Sequence, residues 1–217
     1  AALGRLTANI AHEIRNPLAA ISHAAELLGE SDASAIQKRL TSIIGDNTRR
    51  LNRLVTDVLE LGRRDKAQQE LIALPILLQG LVDEMLIVWR QSERVLSVSV
   101  TDDAKVWFDR AHLLRVLSNI LVNAQRYGSG KEESIKIWTR VVGDGRHIEI
   151  HLADDGPGIR ADLKSRVFEP FFTTYGKGTG LGLFIARELC EANGASLELM
   201  PSANGAHFCI TAAEGQL

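Results

Sequence analysis

Apolar residues recur through the first part of the chain at steps of three, four or seven, the spacing of one helix face. Leu3, Leu6, Ile10, Ile14, Ile21, Ala25 and Leu28 make one stripe; Ile36, Leu40, Ile43, Asn47, Leu51, Leu54, Val58 and Leu61 make another. Gly29-Glu30-Ser31-Asp32 between them reads as a short turn, so the pattern predicts an antiparallel helical hairpin. Two helices alone cannot cover both stripes. Two hairpins joined as a four-helix bundle would cover them, and this predicts a homodimer.

The periodicity then changes. Arg63 to Glu70 is polar and reads as an interdomain linker. Leu74 to Arg90 reads as a helix, Arg94 to Val100 and Val106 to Phe108 as strands, and Arg110 to Tyr127 as a helix. Ile135 to Val142 and His147 to Ala153 form a predicted hairpin around Gly143-Asp144-Gly145. Gly180 to Glu191 reads as a helix, and Ser196 to Met200 is expected to pair with His207 to Thr211. The expected fold is an all-α hairpin over residues 1–65 and, over residues 66–217, an α+β domain with helices on one face of an antiparallel or mixed sheet.

Composition narrows the function classes. The chain has 217 residues and a formal net charge of −2, so neither a nucleic-acid surface nor a polybasic membrane patch is expected. The only two cysteines, Cys190 and Cys209, lack metal-type spacing and read as reduced core thiols of a cytosolic protein. No apolar run is long enough to span a bilayer; the best, around Leu71 to Trp89, is broken by Pro75, Gln79, Asp83 and Glu84. The chain starts at Ala1 directly in a helical pattern, and reads as the catalytic portion of something longer.

Four short boxes carry chemistry. His12-Glu13-Ile14-Arg15-Asn16-Pro17 puts His12 two residues from both Ile10 and Ile14, nearly opposite the buried stripe and facing outward. An exposed neutral imidazole is a competent nucleophile, and Glu13 can accept the proton it loses. Asn16 shares the histidine's face one turn on, and Pro17 should bend the helix just beyond. Asn119 and Asn123 also share a helix face; their amide oxygens are hard ligands suited to Mg²⁺, and Arg126 one turn further could reach a phosphate. Asp154-x-Gly156-x-Gly158 follows a predicted strand, where glycines allow close approach to a flat ligand and the carboxylate can accept from an exocyclic amine. Gly178-x-Gly180-x-Gly182 opens a helix, whose free N–H groups and dipole favour phosphate.

With these boxes and Phe168-Glu169-Pro170-Phe171-Phe172, the chain resembles the catalytic core of bacterial two-component sensor histidine kinases over nearly its whole length. More narrowly, the first box and Ile21-Ser22-His23-Ala24-Ala25-Glu26-Leu27-Leu28 resemble the type IV pilus and nitrogen-regulatory sensor kinases. The resemblance implies a dimerisation and phosphotransfer hairpin joined to an ATP-binding sandwich of the gyrase/Hsp90/histidine kinase type. It implies His12 as phosphoacceptor, Glu13 as its proton acceptor and Asn123 as a Mg²⁺ ligand assisted by Asn119. Asp154 would recognise adenine with Gly156 and Gly158, and Gly178, Thr179, Gly180, Leu181 and Gly182 would cradle phosphate. Arg126, Tyr127, Phe171 and Lys177 complete the implied nucleotide site, with Ile159 to Lys177 as a mobile lid. Two positions depart from the family pattern. Arg115 stands where Glu, Gln or His is common, and Tyr175 stands where a lysine is usual, a charge Lys177 would supply.

The reading is therefore an ATP-dependent protein-histidine kinase that phosphorylates His12 and passes the group to an aspartate of a response regulator's receiver domain, with Asn16 suited to a phosphatase reaction. Two alternatives are a non-catalytic nucleotide-binding scaffold and a gyrase- or chaperone-type ATPase; the latter does not explain the helical histidine box. The expected setting is the cytoplasmic portion of an inner-membrane sensor protein, with any membrane contact made by a sensor region outside this chain and no direct contact to nucleic acid.

Overall fold

Both N-terminal stripes form helices in the computed structural model, which describes residues 2–30, 34–62, 67–89, 93–143, 146–176 and 178–215. Helix α1 spans Ala2–Glu30 and continues through Pro17, while α2 spans Ser34–Leu61 and packs along it. The turn expected at Gly29 to Asp32 falls partly on residues 31–33, outside the described residues. The chain divides into two units, one of Ala1–Gly62 with Glu169–Leu181 and one of Arg63–Phe168 with Gly182–Leu217.

In the first unit, Pro17 and Ala24 of α1 and Leu40, Leu54 and Asp57 of α2 are buried. The apolar stripe of α1 is covered only in part: Ile10, Ile14, Ile21 and Leu28 are half-buried and Ala25 is exposed. A second line on α2, Ile44, Leu51, Val55, Val58 and Leu59, is likewise only partly covered, with Leu59 61% exposed. The helices are joined by an ion pair from Arg50 Nη2 to Glu13 Oε2 at 2.7 Å. Asp57, only 6% exposed, accepts a hydrogen bond from Thr179 Oγ1 at 2.9 Å, so a buried carboxylate has its partner.

The second unit is a layer of helices on a mixed sheet. Its elements are β1 (Gln69–Ala73), α3 (Leu74–Trp89), β2 (Leu96–Ser99), β3 (Lys105–Asp109) and α4 (Arg110–Tyr127), then β4 (Ile135–Val142), β5 (His147–Asp154), α5 (Gly182–Ala192), β6 (Ser196–Leu199) and β7 (His207–Ala213). The main sheet has the order β2-β4-β5-β7-β6, with β2 parallel to β4 and the other pairs antiparallel. Alternation decides its two faces. Ile135, Ile137, Ile148, Ile150, Leu152, Phe208 and Ile210 are buried on one of them, where α4 packs on β4 and β5 and α5 packs on β6. Leu113, Val116, Leu117, Ile120, Leu121 and Ala124 supply the apolar stripe of α4.

Three local expectations change. The last two residues of the segment read as linker, Gln69 and Glu70, begin β1, which pairs antiparallel with β3 as a separate two-stranded sheet; residues 63–66 lie outside the described residues. Gln69 and Glu70 are exposed, so only pairing with the distant β3 makes this polar stretch a strand. Glu93–Val95 is a 3-10 turn preceding β2, and α5 begins at Gly182.

Candidate functional site

Helix α4 starts at Asp109, whose Oδ1 accepts from His112 N at 3.0 Å, and it stops at Gly128, whose N–H reaches Ala124 O. Its apolar residues face the sheet, which puts Asn119, Asn123 and Arg126 together on the part-exposed side. Asn119 Nδ2 donates to Gly182 O at 2.9 Å, tying α4 to the first residue of α5. Asn123 Oδ1 takes a long hydrogen bond from Arg126 Nη1, 3.4 Å, so this hard oxygen is held loosely and could be given up to a cation. Tyr127, at the end of the helix, is exposed.

The turn after β5 meets the end of α4. Asp154 Oδ1 accepts from Gly156 N at 2.9 Å and from Ala206 N at 3.2 Å. Burial pushes the Asp154 carboxyl above the usual range, against those two donors, and the Asp155 charge adds to the rise. Asp155 goes the other way. Ser129 gives it both hydroxyl and backbone hydrogen bonds, at 2.6 and 2.8 Å, and they hold its carboxyl low. Two adjacent carboxylates thus have opposite environments: Asp155 is a structural tie, while Asp154 Oδ2 has no hydrogen bond among the described residues and can accept from a ligand amine.

Gly156 is required by contact, since a Cβ there would stand 2.5 Å from the Tyr127 carbonyl oxygen. Gly158 follows with φ of 72°. Sequence reasoning missed the far side of this turn. Gly205 and Ala206 back Asp154, and a Cβ on Gly205 would collide with the Asp154 carbonyl. Backbone N–H groups leave no signature in side-chain pattern, so only the pairing of β5 with β7 could have revealed them.

His12 lies on α1 with its side chain exposed, and Asn16 is exposed one turn later on the same face. Glu13 beside them is part-buried in its ion pair with Arg50, a partner on α2 that no local pattern announces. Phe171, Gly178, Thr179, Gly180 and Leu181 belong to the same unit as these helices. Gly180 has φ of 70°, and a Cβ there would collide with the backbone of Phe171, itself at φ of 66°. Leu181 is fully buried, and its N–H donates to Thr179 Oγ1 at 3.3 Å. Lys177 lies outside the described residues. The first-unit residues and the second-unit residues therefore form two described groups: His12, Glu13 and Asn16 with the turn ending at Leu181, and Asn119, Asn123, Arg126, Tyr127, Asp154, Gly156, Gly158 and Gly182.

The family model of the His Kinase A (phospho-acceptor) domain matches residues 2–67, and that of the histidine kinase-, DNA gyrase B- and HSP90-like ATPase matches residues 108–216. The sensor protein kinase PilS of Pseudomonas aeruginosa is 44% identical over 201 residues, covering 91% of this chain and 38% of that protein. The signal transduction histidine-protein kinase AtoS of Escherichia coli is 33% identical over 198 residues, 89% of this chain and 32% of its own length. The chain thus spans well under half of these relatives.

Among solved structures, histidine kinase ThkA in complex with response regulator protein TrrA aligns with a TM-score of 0.75 at 26% identity, over 98% of this chain and 62% of that one. Histidine kinase AdeS of Acinetobacter baumannii shares the fold, with a TM-score of 0.73 at 21% identity over 94% of this chain and 98% of that one. No described helix is long and apolar enough to cross a membrane. The match of both family models in this order, over residues that already place a histidine helix before an ATP-binding sandwich, shows that the chain belongs to the sensor histidine kinases and is a core of that family.

Proposed function

We propose that this core takes the γ-phosphoryl group of Mg·ATP onto His12 and hands it to an aspartate of a response regulator's receiver domain. Residues 1–65 serve as the dimerisation and phosphotransfer hairpin and residues 66–217 as the catalytic domain. The observation that carries the reading is the exposed His12, with Asn16 on its face and the Glu13 carboxylate adjacent, on a chain that also builds the Asp154 turn. His12 Nε2 or Nδ1 attacks phosphorus as ADP leaves, and Glu13 accepts the ring proton. Asp154 receives the adenine amine. The glycine turn from Gly178 to Gly182 offers backbone N–H groups to phosphate, and Lys177 and Arg126 are the cations assigned to the same role. Asn123, assisted by Asn119, would hold Mg²⁺; its loosely engaged amide oxygen fits a hard cation. The metal, when bound, would offset charge on the phosphates.

Homodimerisation is supported by the two partly covered apolar lines on α1 and α2, which a second hairpin would bury. A regulator partner is supported by the ThkA–TrrA complex as a structural neighbour. In the longer protein this core would work on the cytoplasmic side of an inner membrane, its sensor region lying elsewhere. Asn16 would orient a water for regulator dephosphorylation.

The test is incubation with radiolabelled ATP and Mg²⁺. Acid-labile label should appear on the protein and vanish in His12→Gln, while that variant still binds ATP. Label retained in His12→Gln would move the phosphoacceptor elsewhere and overturn the assignment.

A further inference from the structure

On the face of the main sheet opposite Ile148, Ile150 and Leu152, the strand register gathers a set of groups that kinase chemistry does not use. Glu149 and His151 are two apart on β5 and so share this face, and Cys209 of β7 lies directly across from His151. One ligand-type atom from each of the three lies within 4.8 Å of the others. His151 is 4% exposed and Cys209 3%, yet Glu149 reaches the surface with its side chain 18% exposed. We propose that Glu149, His151 and Cys209 form a binding site for a borderline-soft divalent cation of the Zn²⁺ class.

The geometry is close to what such an ion needs. His151 Nε2 stands 3.0 Å from Glu149 Oε2, and two ligands on one tetrahedral zinc are about 3.3 Å apart. The ring is already fixed: Trp138 stacks on it at 4.8 Å between centroids and 9° between planes, and His151 Nδ1 lies 3.0 Å from His207 Nε2. With the metal on Nε2, Nδ1 keeps its proton and donates to His207, the outer partner that metal-binding histidines usually have.

Charge balances as well. Cys209 releases its thiol proton to solvent when the metal–sulfur bond forms, and thiolate plus carboxylate neutralise a divalent ion, so no net charge is buried. The cation now on Glu149 is Arg140, at 2.7 Å, with its side chain 64% exposed; it can turn into water. A second Glu149 oxygen, Oε1, has no hydrogen bond among the described residues. Sulfur and imidazole donors also separate this site from the amide oxygens of Asn119 and Asn123, which favour Mg²⁺.

Cobalt(II) makes the test specific. The nucleotide-free chain, reduced and held in excess Mg²⁺, is titrated with Co²⁺ and then with Zn²⁺. Expected are d–d bands of tetrahedral intensity, a thiolate-to-cobalt charge-transfer band, and loss of both as one equivalent of Zn²⁺ displaces the cobalt. Cys209→Ala should abolish the charge-transfer band, whereas Cys190→Ala should keep it, because Cys190 is fully buried away from this face. Glu149→Gln, a surface-reaching and near-isosteric change, should weaken Zn²⁺ at least about tenfold even if Cys209→Ala folds poorly. Absence of tetrahedral bands in the parent chain, survival of the charge-transfer band in Cys209→Ala, or unchanged affinity in Glu149→Gln would each overturn the site.

Discussion

Asp154 and Asp155 differ by one position and by opposite electrostatics, and this makes the proposed adenine contact of Asp154 testable by pH. Burial raises the Asp154 carboxyl above 3.8, so its protonated form is favoured in the fold. The stability this gives is present below the unfolded value and is lost as pH rises through the raised folded value. Asp155 has the reverse sign: Ser129 lowers it from 3.8, so its contribution is present above that value and lost as pH falls through the lowered one. In its proposed role Asp154 accepts the adenine amine as a carboxylate. Calorimetric ADP affinity should therefore fall on acidification at a higher pH than an ordinary aspartate would give. Asp154→Asn should bind more weakly and lose that inflection, and a parent profile matching the variant's would remove Asp154 from the site. Asn123→Ala keeps helix propensity but deletes one amide oxygen. Mg²⁺-dependent nucleotide binding should drop at least about tenfold, a loss of roughly 1.4 kcal/mol, while binding in EDTA changes little. Equal affinities with and without Mg²⁺ in parent and variant would end the metal role.

Elements are where sequence and structure part company for stated reasons. Long stripes made α1, α2 and α4 legible, because a helix face repeats within the segment itself. Strand β1 was not legible: Gln69 and Glu70 are exposed, and its pairing runs to Asp109 and Phe108, far along the chain. The histidine, asparagine and glycine boxes were legible as side-chain types, but Arg50, Ser129 and Ala206 were not, since each acts by a long-range hydrogen bond. Asn193 shows the same limit. It is 7% exposed; its Oδ1 accepts from Asp109 N at 2.7 Å, and its Nδ2 donates to Leu189 O at 2.7 Å and faces His112 Nδ1 at 3.0 Å. It thus joins the end of α5 to the start of α4. Asn193→Ala leaves buried partners unsatisfied and should cost about 2–4 kcal/mol in urea unfolding; a loss under about 0.5 kcal/mol, the range of ordinary surface changes, would mean water replaces it. Gly180→Ala should remove labelling, because φ of 70° and the Phe171 backbone both oppose a side chain there. Full labelling in that variant would show that the turn rearranges freely.

At the scale of the whole molecule, the hairpin is an incomplete object. Val55 and Leu59 are one turn apart on α2 and are 48% and 61% exposed, beside the half-covered Ile44, Leu51 and Val58. Burying a valine or leucine fully is worth about 1.5–3 kcal/mol, so a line of such residues is a strong reason to associate. A dimer built this way has stability linked to concentration, because the associated state alone buries the line. The parent chain should sediment as a dimer, with a melting temperature for the hairpin transition that rises with protein concentration. Val55→Glu with Leu59→Glu places two carboxylates on that line. It should give monomers with a lower, concentration-independent transition and little His12 labelling. ADP affinity should stay at the parent value, because Asp154, Asn123 and the Gly156 turn belong to the other unit and the Gly178 to Leu181 turn is left unaltered. A double variant that still sediments as a dimer would put the self-association surface elsewhere. One that also loses ADP binding would mean the two units do not fold independently of each other.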